Sequence, residues 1–128
     1  MNEYKVENAK ITSTRLGVQH TDHGVLSFMI FLSFGGTGQG FGGYVLDDYS
    51  SKADGRVPTI LGSSLLLAVH RVFGVDWEDL KSTVCRGYHH HSNVFAIGHL
   101  LEDKWLYYSE KDRQFAVKTF SAMIKEAN

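Results

Sequence analysis

The chain has 128 residues, 13 basic and 14 acidic side chains for a formal net charge of −1, and 43% hydrophobic residues. This composition fits one soluble globular domain over residues 1–128 and excludes a basic surface for long nucleic acid. A single cysteine, Cys85, excludes an intrachain disulfide, and no apolar run approaches the length of a bilayer span.

The first residues carry no signal-peptide core, so a cytoplasmic protein is expected. Residues 6–16 alternate weakly, Ala9, Ile11 and Ser13 against Lys10, Thr12 and Thr14, as a half-exposed strand does. Gln19–Gly24 reads as a polar turn. Val25–Phe34 is apolar on both faces. Leu26, Phe28, Ile30, Leu32 and Phe34 point one way, and Val25, Met29 and Phe31 the other. An antiparallel strand with one wet face shows polar residues there, so helices or a second subunit are expected to cover this one.

Six of the 13 glycines then fall within Phe34–Tyr44. Two roles fit such a run: a hairpin with bulges, or a loop whose bare amides hold an anion. Phe41 and Tyr44 add a stacking surface to the second. Gln39–Asp47 is the third predicted strand, and Asp48–Arg56 a polar loop. Pro58 is placed to open a helix whose buried face is Leu61, Leu65, Ala68, Val69 and Val72, ending at Gly74. Asp76–Leu80 predicts one short helical turn.

Lys81–Tyr88 and Asn93–Leu100 form a second predicted hairpin, joined by His89, His90, His91 and Ser92. Trp105–Tyr108 reads as a short strand. Ser109–Asp112 resembles a capping box at the start of a terminal helix with Ala116, Phe120, Met123, Ile124 and Ala127 on one face. The elements add up to an α+β fold, an antiparallel β-sheet with helices packed on one face, oligomeric through the sheet or the helices.

Gly38–Gly43 satisfies G-x-G-x-x-G, but it opens a strand, where the dinucleotide fingerprint needs a helix N-terminus, and no P-loop lysine follows. His89, His90 and His91 alternate faces in a strand and lack the spacing of zinc ligands, so a polar hairpin tip is expected and no metal. Nothing in the sequence brings His20 and His23 to them. Cys85, within an apolar strand, reads as a core residue, and no catalytic constellation can be built. Binding residues are easier to find. Arg56, Arg86, Lys104 and Arg113 are cations able to reach phosphates. Tyr88, Trp77 and Trp105 join Phe41 and Tyr44 as aromatics able to stack, the two tryptophans being better placed for packing. Gln39 and Asn93 offer amides to a base edge or ribose hydroxyl.

The stretch Ala9–Thr14 with Gly17, His23–Gly24, Gly38–Tyr44 and Leu46–Asp47 forms a wider pattern. Gly74–Val75, Trp77–Leu80, Ala96–His99 and Asp103–Trp105 continue it. Over roughly residues 8–106 this pattern resembles the first family of phage Thoeris anti-defence proteins. The resemblance implies a sponge that is not an enzyme and needs no cofactor. Such a protein sequesters the cyclic ADP-ribose isomer made by a bacterial TIR-domain protein and so blocks Thoeris immunity in the host cytoplasm. It also implies homo-oligomers, dimer or hexamer, with ligand at subunit interfaces, and in some members a capacity for cyclic di- or trinucleotides. Arg56 and Asn93 lie where the resemblance implies ligand contacts. The histidine tip and the segment after Trp105 depart from the pattern. The ligand-binding residues expected are Gln39, Phe41, Gly42, Tyr44, Arg56, Arg86, Asn93, Lys104 and Arg113. Two alternatives stand beside the sponge: an inhibitor that docks on a host defence enzyme, and a cyclic-nucleotide hydrolase using the histidines.

Overall fold

Strand β1 (Lys5–Gln19) is the spine of the computed structural model, which describes residues 5–19, 24–90, 93–109 and 114–127. Its C-terminal part pairs with β2 (Val25–Ser33), from Lys10↔Ser33 to Gln19↔Val25. β3 (Gly38–Val45) continues the sheet beyond β2, and β4 (Asp47–Ser50) with β5 (Gly55–Pro58) forms a separate two-stranded ribbon. After helix α1 (Ile60–Phe73) and a 3-10 turn at Trp77–Asp79, β6 (Val84–His90) returns to pair with the N-terminal part of β1. The chain then adds β7 (Asn93–His99), β8 (Trp105–Ser109) and β9 (Gln114–Lys118), and ends in helix α2 (Phe120–Ala127). The order across the seven-stranded sheet is β3-β2-β1-β6-β7-β8-β9, every pair antiparallel. The α+β architecture expected from the sequence is the one observed.

Strand alternation builds two cores, one on each face. Ile11, Phe28, Ile30, Leu32, Cys85, Ile97 and Leu106 meet the Leu65, Ala68, Val69 and Val72 face of α1. Tyr88, Ala96 and Trp105, their out-of-phase neighbours, meet Met123 of α2. The helices are therefore divided between the faces, not stacked on one as the sequence predicts. Trp105 and Tyr88 require this, because period-2 alternation turns them away from Leu106 and Cys85. Above β2 and β3 the second face is only partly covered by the described residues. Phe31 and Val45 there are 41% and 47% exposed.

Local chemistry explains the boundaries. Thr59, not Pro58, caps α1: its hydroxyl accepts the Gly62 N–H at 2.9 Å, while Pro58 ends β5. Gly74 closes the helix at φ 69°, its N–H on the His70 carbonyl at 2.7 Å. The expected polar loop at 48–56 is instead the β4–β5 ribbon, turned by Ser50 Oγ accepting the Ala53 N–H at 3.2 Å. The expected terminal helix starts later than its periodicity suggests, since Ala116 belongs to β9. Asp103 supplies the acceptor at its start, taking the Phe120 N–H at 2.9 Å. Glu110, Lys111 and Asp112 of the suspected capping box lie outside the described residues.

Cys85 is fully buried, and burial pushes its thiol from 9.0 up to about 12. It is protonated in the native protein at neutral pH. We expect no reaction with an aromatic disulfide reagent at pH 8 until the chain unfolds. Because the unfolded thiol ionises first, unfolding releases a proton between pH 9 and about 12. Stability should fall through that window by up to ~1.4 kcal/mol per pH unit from this group, read as denaturation midpoints against a Cys85→Ala control. A thiol that reacts readily in the native state would contradict the burial.

Candidate functional site

The glycines of β3 first do the bland work. Gly40 lies opposite Phe31, and Gly42 opposite Met29, next to a register shift between Ser27 and Met29. A Cβ on Gly40 would come within 2.9 Å of Met29 Sδ, and one on Gly42 within 2.6 Å of the Phe28 carbonyl oxygen. Gly42 and Gly43 have φ of 137° and 78°, so this is a bulge that only glycine fits without strain. It also leaves a stretch of bare backbone at the edge of the sheet.

Tyr44 follows the bulge. Its ring is half-buried and is propped edge-on by Phe28 at 6.2 Å and Phe41 at 5.7 Å between centroids. Phe41 itself is 1% exposed, so a ligand at the surface would meet Tyr44 and not Phe41. Three residues on, Asp47 accepts the Leu26 N–H at 3.2 Å through Oδ1, and its Oδ2 lies 3.0 Å from Arg56 Nε. Arg56 Nη2 also donates to the Asp47 carbonyl at 3.4 Å. The Arg56 side chain is 25% exposed against 8% for Asp47. The sheet thus fixes a carboxylate, the carboxylate fixes a guanidinium, and part of that cation faces solvent beside the Tyr44 strand.

The other expected residues lie elsewhere. Gln39 opens β3 and Asn93 opens β7, and the two strands come together at that end of the sheet. At about 3.3 Å per residue, Gln39 and Tyr44 are roughly 15 Å apart along β3. Arg86 forms a third location. Its Nε donates to the His99 carbonyl at 2.9 Å and its Nη2 to the Glu102 carbonyl at 2.8 Å, with the guanidinium 4.8 Å from the Trp105 ring centre. Those bonds strap the β7–β8 turn, and Lys104 sits in the same turn, 3.7 Å from Glu102. Arg113 lies outside the described residues. The eight described candidates therefore fall into three groups with different neighbours.

No protein-family model, curated protein or solved structure matches the chain.

Two features escape a reading of the sequence. Asp47 is visible only as part of a Leu-Asp pair, and its role depends on the β4–β5 ribbon that brings Arg56 back to it. His89 belongs to β6 and not to a polar tip. It is 9% exposed, with Nε2 2.9 Å from Glu7 Oε1, because Lys5–Lys10 of β1 runs alongside β6. No spacing rule connects residues 7 and 89. His20, His23 and His91 lie outside the described residues, and among the described residues no group of three metal-binding side chains occurs. A groove of about 370 Å³ between α1 and Trp77 is apolar, its polar lining being His70 and Asp76. His70 Nδ1 is bonded to the Val75 carbonyl at 3.0 Å, and the groove holds Trp77 of the aromatics able to stack but no lysine or arginine and none of the nine expected ligand-binding residues.

Proposed function

We propose that the protein is a phage anti-defence sponge, one that binds a TIR-derived cyclic ADP-ribose isomer and retains it unchanged, blocking Thoeris immunity in the host cytoplasm. The observation that carries this reading is the Arg56–Asp47 pair, Asp47 lying three residues after Tyr44 in the chain. A pyrophosphate needs a forked cation, and a guanidinium already held by a carboxylate loses little freedom on binding. A half-exposed ring gives a base or ribose a surface to lie on, and the bulged glycines let a ligand approach the backbone. Such a set favours holding over turning over.

The separation of the candidates into distant groups supports a site completed by a second copy of the chain, with Gln39 and Asn93 on one and Tyr44 and Arg56 on the other. Cyclic di- or trinucleotides are further candidate ligands on the same chemistry.

The test is incubation of purified protein with a cyclic ADP-ribose isomer, filtration, then heating and mass spectrometry of what is released. Intact ligand freed only on denaturation supports the sponge, whereas an altered mass indicates an enzyme. Arg56→Ala should weaken retention roughly 10- to 100-fold, the worth of a charge-assisted hydrogen bond. Arg56→Lys, which keeps the charge and loses the fork, should fall between the two in equilibrium dialysis. Equal affinity in all three proteins would remove Arg56 from the site.

A second reading, an inhibitor docking on a host defence enzyme, is favoured by the open apolar face at Phe31 and Val45. It predicts ligand passing straight through the filter and a stable complex with a protein.

A further inference from the structure

The Phe34 ring does not stay over its own strand. From the end of β2 it reaches across β1, past the small Ala9, and lies on Gly87 of β6. A Cβ on Gly87 would come within 2.5 Å of Phe34 Cζ and 2.7 Å of Cε1. The His89 ring flanks it, centroids 4.4 Å apart and planes tilted by 38°. A glycine inside a strand weakens it and marks a place where another group approaches closely. Here the room left is that of a flat ring. Its floor is bare peptide, and its wall is an imidazole fixed by Glu7.

That wall has chemistry to spare. In the neutral tautomer whose Nε2–H donates to the Glu7 carboxylate, His89 Nδ1 is left as an acceptor, and this buried atom has no partner among the described residues. The Phe34 ring packs against the first core, but its backbone is held by no strand pairing. Ser33↔Gly38 is the last pair between β2 and β3, so Phe34 lies beyond the ladder. Its N–H donates to the Thr37 carbonyl at 2.8 Å, around Gly35 at φ 72° and Gly36 at φ 120°. Turning the ring outward breaks no strand pairing. Gln39 and Asn93, with their amide side chains, begin strands at this same end.

We propose that this slot is a binding subsite for a purine base, occupied by Phe34 until a ligand displaces it. Resting on the nucleotide-binding reading above, it names the residues that read the base. The exocyclic amine of adenine donates to His89 Nδ1, the ring stacks on the Gly87 peptide, and the nearby amides meet its remaining edge.

The test uses adenosine, which has no phosphate for Arg56, titrated into the full chain and followed by NMR. Adenosine should shift the Gly87 and His89 signals, and Phe34→Ala should bind it about tenfold more tightly than the parent, since the competing ring is gone. Phe34→Leu, which keeps apolar bulk without a stacking face, serves if the alanine variant does not fold, and should tighten binding in the same direction. Inosine, lacking the amine, should bind more weakly than adenosine, and His89→Phe should abolish that preference. Shifts mapping elsewhere, or no gain in either Phe34 variant, would overturn the subsite. A parent protein that retains the cyclic messenger while both Phe34 variants show no gain sinks the slot and leaves the sponge intact. A parent that retains no messenger, with adenosine tightened by Phe34→Ala, does the reverse.

Discussion

Trp105→Ala should lower the free energy of unfolding by about 3–5 kcal/mol, the range for deleting a fully buried large aromatic. Trp105 is 0% exposed and is the largest side chain of the second core. It packs on Phe120 of α2 at 5.2 Å between centroids and carries the Arg86 guanidinium at 4.8 Å. The sheet makes room for it: a Cβ on Gly98 would come within 2.6 Å of its Cδ2. Removing the indole therefore leaves a cavity that neither strand can close, and α2, only eight residues long, loses its main anchor. Trp105→Phe is the informative comparison. The indole Nε1 has no hydrogen-bond partner among the described residues, so phenylalanine loses volume and no bond. Urea denaturation should place it well above the alanine variant. If Trp105→Ala unfolds at nearly the parent midpoint, α2 is held by something other than this core.

The second large effect is expected at Gly62. Alanine is a better helix former than glycine by ~1 kcal/mol, so Gly62→Ala would stabilise an exposed helix. Here the sign reverses. The first turn of α1 lies directly on Leu46, whose carbonyl accepts both the Thr59 hydroxyl at 3.1 Å and the Thr59 N–H at 3.4 Å. A Cβ on Gly62 would overlap that carbonyl oxygen, with the Leu46 carbonyl carbon and Cα each at 2.6 Å. Backbone cannot rotate aside as a side chain can. We expect Gly62→Ala to destabilise by about 3 kcal/mol, and Gly62→Val by more. Ser64→Ala, two residues away on the exposed face, should be neutral or stabilising by a few tenths of a kcal/mol. Thermal melts of the three proteins decide it: equal shifts at 62 and 64 would mean that α1 sits further from Leu46 than the structure places it.

Much of this architecture can be read in the residue pattern, and the reasons are local. β2 declares itself through Leu26, Phe28, Ile30 and Leu32 at period two, and α1 through Leu65, Ala68, Val69 and Val72 with Gly74 behind them. The β6–β7 hairpin is equally plain, though its strands run on through His89 and His90, which the run of polar rings disguises. The failures come from partners distant in sequence. Ala116 fits the helical face of residues 116–127 but pairs with Tyr107, since β8 offers a free edge and pairing outweighs a weak helical preference. Asp48–Arg56 looks like a loop because its residues are polar, but a two-stranded ribbon on the surface needs no apolar face. The candidate site is legible in the sequence as a set of residues and not as a place. Arg56 is a candidate for its charge, and that the Asp47 carboxylate holds it is not visible in the residue pattern. Arg86 is a candidate for its charge, which the structure directs at two carbonyls of a turn.

The division of β1 between two partners has a bearing on how the chain reaches its native state. Its C-terminal half pairs with β2, the next strand in the chain, while its N-terminal half pairs with β6, from Lys10↔Val84 to Lys5↔His89. During synthesis the first strand and its hairpin emerge together, but half of the first strand waits for most of the chain before its other neighbour exists. Contacts so distant carry a large loop-closure penalty that must be met before they reward the chain, which slows folding. The same 15-residue strand that unites the sheet thus keeps part of its edge unpaired until β6 has been made. Until then the apolar positions Ala9 and Ile11 stay open to other chains.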